Sequence, residues 1–237
     1  MCGFGDIPSL VMETQEAVYD AVAWDIETDG VSRSGLITVI GIHAPDFNIS
    51  TVIRFVELQA ETGQLCYRPD YKKLFTEHVY PLFEKARVLI TLNGFGFDLP
   101  FMQTQFEIDD SVMQRWVCKT LDILEISRRT LARTFSLNML LEANSFGVQK
   151  ISSGLEAVHM AKEGRWAELA EYCLSDCILT YRVSTRSCIV IPEGYKYRSK
   201  NRQQILDANS VVVLSFKQFP GMTFEEKKLT EIEFLKS

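Results

Sequence analysis

The chain has 237 residues, of which 46% are hydrophobic, enough for one sizeable core and a modest appendage. Its 25 Lys and Arg against 31 Asp and Glu give a net charge of -6, which argues against holding a polyanion by bulk charge unless some of the acids serve a cation. No run reaches membrane-spanning length, and the first residues lack a basic start followed by an apolar stretch, so neither a membrane protein nor a secreted one is expected. Six scattered cysteines (Cys2, Cys66, Cys118, Cys173, Cys177 and Cys188) form no C-x-x-C pair and have no histidine at zinc-like spacing. That pattern suits a reduced, intracellular and cytoplasmic setting.

Residues 1–20 show little periodicity and read as a lead-in. Ala21 to Gly30 is an apolar run that ends in two carboxylates one residue apart. As a strand it sends Asp25 and Glu27 to one face and Val22, Trp24 and Ile26 to the other. The turn-rich Val31 to Gly35 leads into a second strand, Leu36 to His43, and a third runs from Ile49 to Val56 after Pro45 and Asp46. Three strands on short turns predict an antiparallel meander. Within Asp70 to Lys85, Tyr71, Leu74, Phe75, His78, Val79 and Leu82 recur at helical spacing, with Asp70 as the cap and Pro81 as a bend or break. Arg87 to Asn93 is β-rich, and the helix before it makes it a parallel strand.

Past the turn from Asn93 to Pro100 the pattern is helical. Lys119 to Leu131 is one segment, a second is capped by Ser136 and stops near Gly147, and a third runs from about Arg165 to Ser187. The order predicts an α/β fold, a mixed central sheet flanked by helices, built from residues 21–190. Residues 191–237 read as an extension in which Val211 to Phe216 is either an edge strand or part of a loosely attached appendage.

Two carboxylates side by side on a buried strand repel each other and resist desolvation, so they persist where a metal ion supplies the opposite charge. Asp98, after the Asn93 to Phe97 turn, should begin a helix, where a carboxylate is well placed even without a catalytic role. Tyr172 and Asp176 are four apart and share a helix face. Taken singly, each has an ordinary structural reading.

Together the order is D-x-E on a first strand, N-x-x-x-F-D at a strand-to-helix turn, and Y-x-x-x-D on a late helix. This resembles the DEDD superfamily of 3′-5′ exonucleases in its tyrosine-containing branch. Trp24-Asp25-Ile26-Glu27-Thr28 and Asn93-Gly94-Phe95-Gly96-Phe97-Asp98-Leu99-Pro100 are similar to the proofreading exonuclease domain of family B DNA polymerases and its stand-alone relatives. The resemblance covers roughly residues 20 to 190 and implies a ribonuclease H-like fold with two divalent ions, Mg2+ or Mn2+. In the site it implies, Asp25 bridges both ions, Glu27 and Asp176 complete the one that holds the attacking water, and Asp98 serves the other. Tyr172 orients that water. Two hard cations in an oxygen cage suit phosphodiester hydrolysis, because they serve both the attacking and the leaving oxygen.

The implied substrate is the 3′ end of single-stranded DNA, with RNA as the alternative, and the implied partner is a replication or repair protein. A non-catalytic recruitment module is a competing reading. Thr28 and Asp29 are placed for the terminal sugar or phosphate, and Asn93, Phe95 and Phe97 for the entering strand. Of the aromatics, Phe95 between two glycines is expected to be exposed, and Phe97 with Phe101 to pack beneath a helix. Lys196, Arg198, Lys200 and Arg202 form the most basic stretch and are candidates for backbone contacts, whereas Arg128, Arg129 and Arg133 read as a solvated helix face. Asp122 reads as a helix-start or surface residue, and His43, His78 and His159 as structural.

Overall fold

Alternation along the first strand divides the protein in two. In β1 (Ala21–Thr28), Val22, Trp24 and Ile26 enter one core while Ala21 and Ala23 enter another on the opposite face. Asp25 and Glu27 continue that second face by parity. This computed structural model describes residues 20–30, 35–131, 135–144, 146–186, 188–191, 196–198, 203–205 and 210–213.

β2 (Ile37–Ala44) and β3 (Ile49–Arg54) follow β1 as the expected antiparallel meander. The third strand stops before Phe55, because the Phe55 N–H turns to the Thr38 carbonyl and its own carbonyl accepts from Arg68. A separate hairpin then pairs β4 (Val56–Leu58) with β5 (Leu65–Tyr67). The predicted helix follows as α1 (Tyr71–Leu74), a π-turn at Phe75–Val79 and α2 (Tyr80–Lys85). The widened turn comes just before Pro81, which has no N–H for the ladder. Asp70 sits at the N-cap position without capping through its side chain, since Arg68 holds that carboxylate at 3.1 Å.

β6 (Val88–Thr91) adds parallel to β1, as expected. After it come α3 (Asp98–Phe106), α4 (Asp110–Cys118), β7 (Thr120–Asp122) and α5 (Ile123–Leu131). The expected helix over Lys119 to Leu131 is therefore a strand and then a helix. Thr120 to Asp122 lie in parallel register with Leu89 to Thr91, so sheet pairing overrides helical spacing there. The five-stranded sheet has the order β3-β2-β1-β6-β7 and mixes antiparallel and parallel neighbours.

α6 (Leu137–Ala143) starts at Ser136, whose hydroxyl accepts from Met139 N as predicted, and α7 (Gly154–Lys162) is capped in the same way by Ser153. Neither α4 nor α7 was expected from periodicity. α8 (Trp166–Ser184) is the long final helix. Past it, β8 (Cys188–Ile191) pairs with β11 (Ser210–Val213), and β9 (Lys196–Arg198) with β10 (Gln203–Ile205), both antiparallel. The Val211 to Phe216 stretch thus contributes to a strand that ends at Val213. The readings for residues 1–19 and 214–237 lie outside the described residues.

On one face of the sheet, Val22, Trp24, Ile40, Ile42 and Leu89 pack against Phe83, Met102 and Trp116. Trp24 is fully buried with its ring 5.1 Å from Phe83; each such aromatic or aliphatic side chain contributes about 1.5–3 kcal/mol. On the other face, Ala23 and Ile90 meet Leu140, Leu179 and Val183, while Val39 meets Ala157, Met160 and Cys173. Ala21 and Ala23, with their small side chains, and Gly41, with none, let α8 lie close on this face, the one that carries Asp25 and Glu27. No helix among the described residues is long and apolar enough to cross a membrane.

Candidate active site

The β1–β6 pairing ends at Ala23 opposite Ile90, while the β1–β2 pairing continues to Thr28. β1 therefore carries Asp25 and Glu27 past the end of its parallel partner. The resulting notch lies at the carboxyl end of the parallel strands, where β6 turns away. Carboxylate oxygens of Asp25 and Glu27 and the Cys173 sulfur all lie within 4.8 Å of one another.

Asp98 reaches the notch through a tight turn. Asn93 adopts a left-handed conformation with φ 75°, which Asn tolerates, and its carbonyl accepts from both Gly96 N and Phe97 N. Gly94 is required by space, since a β-carbon there would stand 2.3 Å from Thr91 Cγ2. Asp98 is the first residue of α3 and is buried, with one oxygen 3.5 Å from the Thr91 hydroxyl. What clamps the turn is Asp122. Its Oδ1 accepts from Asn93 N at 2.9 Å, Leu124 N at 3.0 Å and Glu125 N at 3.1 Å, and its Oδ2 from Phe95 N at 2.9 Å. The helix-start reading of Asp122 holds, but the residue is buried rather than at the surface, and it ties β7, α5 and the Asp98 turn together.

From α8, Tyr172 and Asp176 face the same notch, both buried. Asp176 Oδ2 is 2.5 Å from the Lys150 ammonium, which also lies 5.1 Å from the centre of the Tyr172 ring. Asp176 Oδ1 is buried and has no hydrogen-bond partner. Lys150 belongs to the segment between α6 and α7, where its backbone N–H donates to Asn138 Oδ1 at 2.6 Å.

Crowding shows in the acidities. Burial, then the Asp176 charge, pushes the Asp25 carboxyl up to about 7, with Lys150 opposing. Burial and the neighbouring Asp25 hold both Glu27 and Asp98 well above the usual carboxylate range, and burial raises Asp176 against the pull of Lys150. Burial and the Glu27 charge raise the Tyr172 phenol, which is therefore neutral at pH 7. Four carboxyls raised together, with one buried oxygen left without a partner, fit a divalent cation, which replaces protons and satisfies the orphaned acceptor.

A family model of the RNase H superfamily, RNase_H_2, matches residues 22–187. The chain belongs to the RNase H superfamily. That match spans all four carboxylates, Tyr172 and Lys150, and gives the chain a nuclease-type fold, whose substrate is nucleic acid and whose chemistry uses divalent metals. No curated protein matches the chain significantly.

Other expected contacts are placed as follows. The Thr28 hydroxyl donates to the Gly30 carbonyl at 2.7 Å, and Asp29 Oδ1 accepts from Leu36 N at 2.7 Å, so both side chains close the β1–β2 turn. Asn93 is exposed. Phe95 is half-buried against the first core rather than exposed, because the Phe95 N–H bond to Asp122 draws the turn inward. Phe97, also half-buried, lies 4.7 Å from the buried Phe101. Lys196 and Arg198 lie on β9, while Lys200 and Arg202, like Arg133, lie outside the described residues. Arg128 pairs with Glu125. His43 bonds Ser50 and sits edge-on to Tyr181, and His78 and His159 are exposed.

Sequence reasoning missed Lys150, Cys173 and the clamping role of Asp122. Cys173 had a signal, since it follows Tyr172 and precedes Asp176 by three on a helix whose inward face recurs at 169, 172, 173, 176 and 177. Lys150 had none, because only the fold brings its loop to α8.

Proposed function

We propose that this chain is a metal-dependent 3′-5′ exonuclease that hydrolyses the terminal phosphodiester of single-stranded nucleic acid, with DNA as the favoured substrate. The observation that carries the reading is the convergence of Asp25, Glu27, Asp98 and Asp176 on one notch, with Tyr172 beside Asp176. The unit responsible is residues 21–190.

Asp25, Glu27, Asp98 and Asp176 would hold two divalent ions, Mg2+ or Mn2+. When bound, these ions supply an activated water and stabilise the leaving oxygen. Their ligands come from a strand, a turn and a helix, so the site is rigid only while β1, the Asp98 turn and α8 are docked together. Tyr172, as a neutral phenol, orients the attacking water by donating or accepting a hydrogen bond and does not take its proton. Lys150 neutralises Asp176 and offers a cation to a phosphate oxygen. Asn93, at the exposed rim, is placed for the incoming strand, with Phe95 and Phe97 giving apolar edges behind it; Thr28 and Asp29 hold the rim's shape and present their backbone to the terminal sugar.

The test is hydrolysis of matched DNA and RNA oligonucleotides, labelled at either end, with Mn2+ or Mg2+. A ladder that shortens from the 3′ end in the wild type and is absent in Asp25→Ala supports the reading. No degradation with either metal, or shortening from the 5′ end, rejects it. A preference for RNA would keep the mechanism and exchange the substrate.

A further inference from the structure

The segment between α6 and α7 is tied to α8 at two points. At its start the exposed Arg182 and Arg186 place their guanidinium groups over the Phe146 ring, 5.6 and 4.8 Å from its centre. Four residues on, the Lys150 ammonium reaches Asp176 and Tyr172. The segment therefore runs antiparallel to α8, along the roughly 15 Å of helix between Asp176 and Arg186, and Gly147, with φ 69°, turns it away from α6. Neither arginine is held in an ion pair among the described residues. Arg68, Arg115, Arg128 and Arg165, by contrast, are each held by an acid. A second observation is independent of charge. Among the described residues, the exposed large hydrophobic side chains are Val148, Ile151 and Leu155, all from this segment and the first turn of α7. Apolar side chains gathered in this way mark a contact surface, and the first two flank Lys150.

We infer that this segment and the end of α8 form a track for the single strand leading away from the catalytic notch: Arg182 and Arg186 hold its phosphates, and Val148 and Ile151 lie against its bases. Cations that follow a backbone, with apolar surface between them for the bases, hold single strands without reading their sequence. The two guanidinium groups rest on Phe146, so they are ordered for phosphate oxygens with no acid to displace. The occupant is a nucleic acid because the cations are continuous with the notch of a superfamily that acts on nucleic acid, in a chain whose net charge is -6. At about 3.4 Å per stacked nucleotide, the track takes about four nucleotides. The inference rests on the nuclease reading for which end of the strand enters the notch; the track itself uses none of the four carboxylates.

The experiment is fluorescence anisotropy of the full chain in EDTA with three labelled probes: an oligothymidylate of about twelve nucleotides, within the range of single-strand sites, an abasic strand of the same length, and a thymidine dinucleotide. The four side chains to be changed are exposed, so the substitutions leave the cores intact. Arg182→Gln with Arg186→Gln should reduce the log–log salt slope for the long thymidylate by about 1.4, two phosphate contacts at about 0.7 each, and leave dinucleotide binding as it was. Val148→Ser with Ile151→Ser should weaken the long thymidylate but not the abasic strand. An unchanged salt slope, or a serine variant that treats the thymidylate and abasic strands alike, overturns the inference. So does wild-type self-association that the serine variant abolishes, which would give the face to a second copy of the chain. Hydrolysis with Mn2+ separates the two failures: 3′-end shortening by the wild type without these shifts rejects only the track, and neither shortening nor binding rejects the nuclease reading as well.

Discussion

The Lys150 ammonium lies 2.5 Å from Asp176 Oδ2 and over the face of Tyr172, so a loop between two helices supplies a cation to the carboxylate site. The pair is largely but not fully buried, with side-chain exposures of 21% and 7%. Removing one member of such a pair leaves the other charge uncompensated. Lys150→Met should therefore destabilise the metal-free protein at pH 8 by up to about 3 kcal/mol, less at pH 5 where the acids take protons. Urea midpoints at the two pH values check this; equal losses at both would mean that the ion pair carries no electrostatic weight.

Metal-free stability should itself fall as pH rises. The carboxyls of Asp25, Glu27, Asp98 and Asp176 all bind protons more tightly in the folded chain than in the unfolded one. Between about pH 4, where unfolded carboxyls titrate, and about 7, where folded Asp25 does, the folded state holds more protons. Stability is full below this window and is lost as pH rises through it. With chelator present, the melting temperature should be lower at pH 8 than at pH 5, and Mg2+ or Mn2+ should restore it at pH 8. A flat profile, or the same fall in an Asp25→Asn, Glu27→Gln double variant, would place the cause elsewhere.

Tyr172→Phe separates positioning from metal holding. The phenol is neutral and buried beside Asp176, and the substitution keeps the ring under Lys150. Turnover should fall by about tenfold, the rate equivalent of one lost positioning hydrogen bond of about 1.4 kcal/mol, while Mn2+ affinity changes little. Unchanged turnover with the fold intact would remove Tyr172 from the reaction.

Much of this site was legible because its parts are local. The parity of β1 follows from strand alternation, so the shared face of Asp25 and Glu27 could be read from Val22, Trp24 and Ile26 alone. Asn93 with its glycines marks a turn by its own chemistry, and Ser136 marks a helix start. What escaped depends on contacts distant in sequence. β7 looks helical until the edge of β6 offers it a partner, and Lys150 acquires a role only when α8 is docked. Asp70 is the local exception, its carboxylate taken from the helix start by Arg68, two residues away.

The Asp122 clamp gives the sharpest check on how Asp98 is positioned. Four backbone N–H groups, two from the Asp98 turn and two from the start of α5, converge on one buried carboxylate. Hydrogen bonds to a charged acceptor are worth about 1.5–3 kcal/mol each, and orphaned buried donors cost more. Asp122→Ala should therefore destabilise the fold by several kcal/mol and is a poor probe of function. Asp122→Asn keeps one acceptor oxygen and replaces the other with a donor facing an N–H. This variant should fold with a loss of about 2 kcal/mol, and its turn should let Asp98 drift from Asp25 and Glu27. Its Mn2+ affinity and its turnover should then both drop, although Asp122 is assigned no cation. Urea denaturation gives the first number, and manganese titration the second. If folded Asp122→Asn bound manganese as the wild type does, the turn would be held without the clamp, and Asp122 would be no more than the cap of α5.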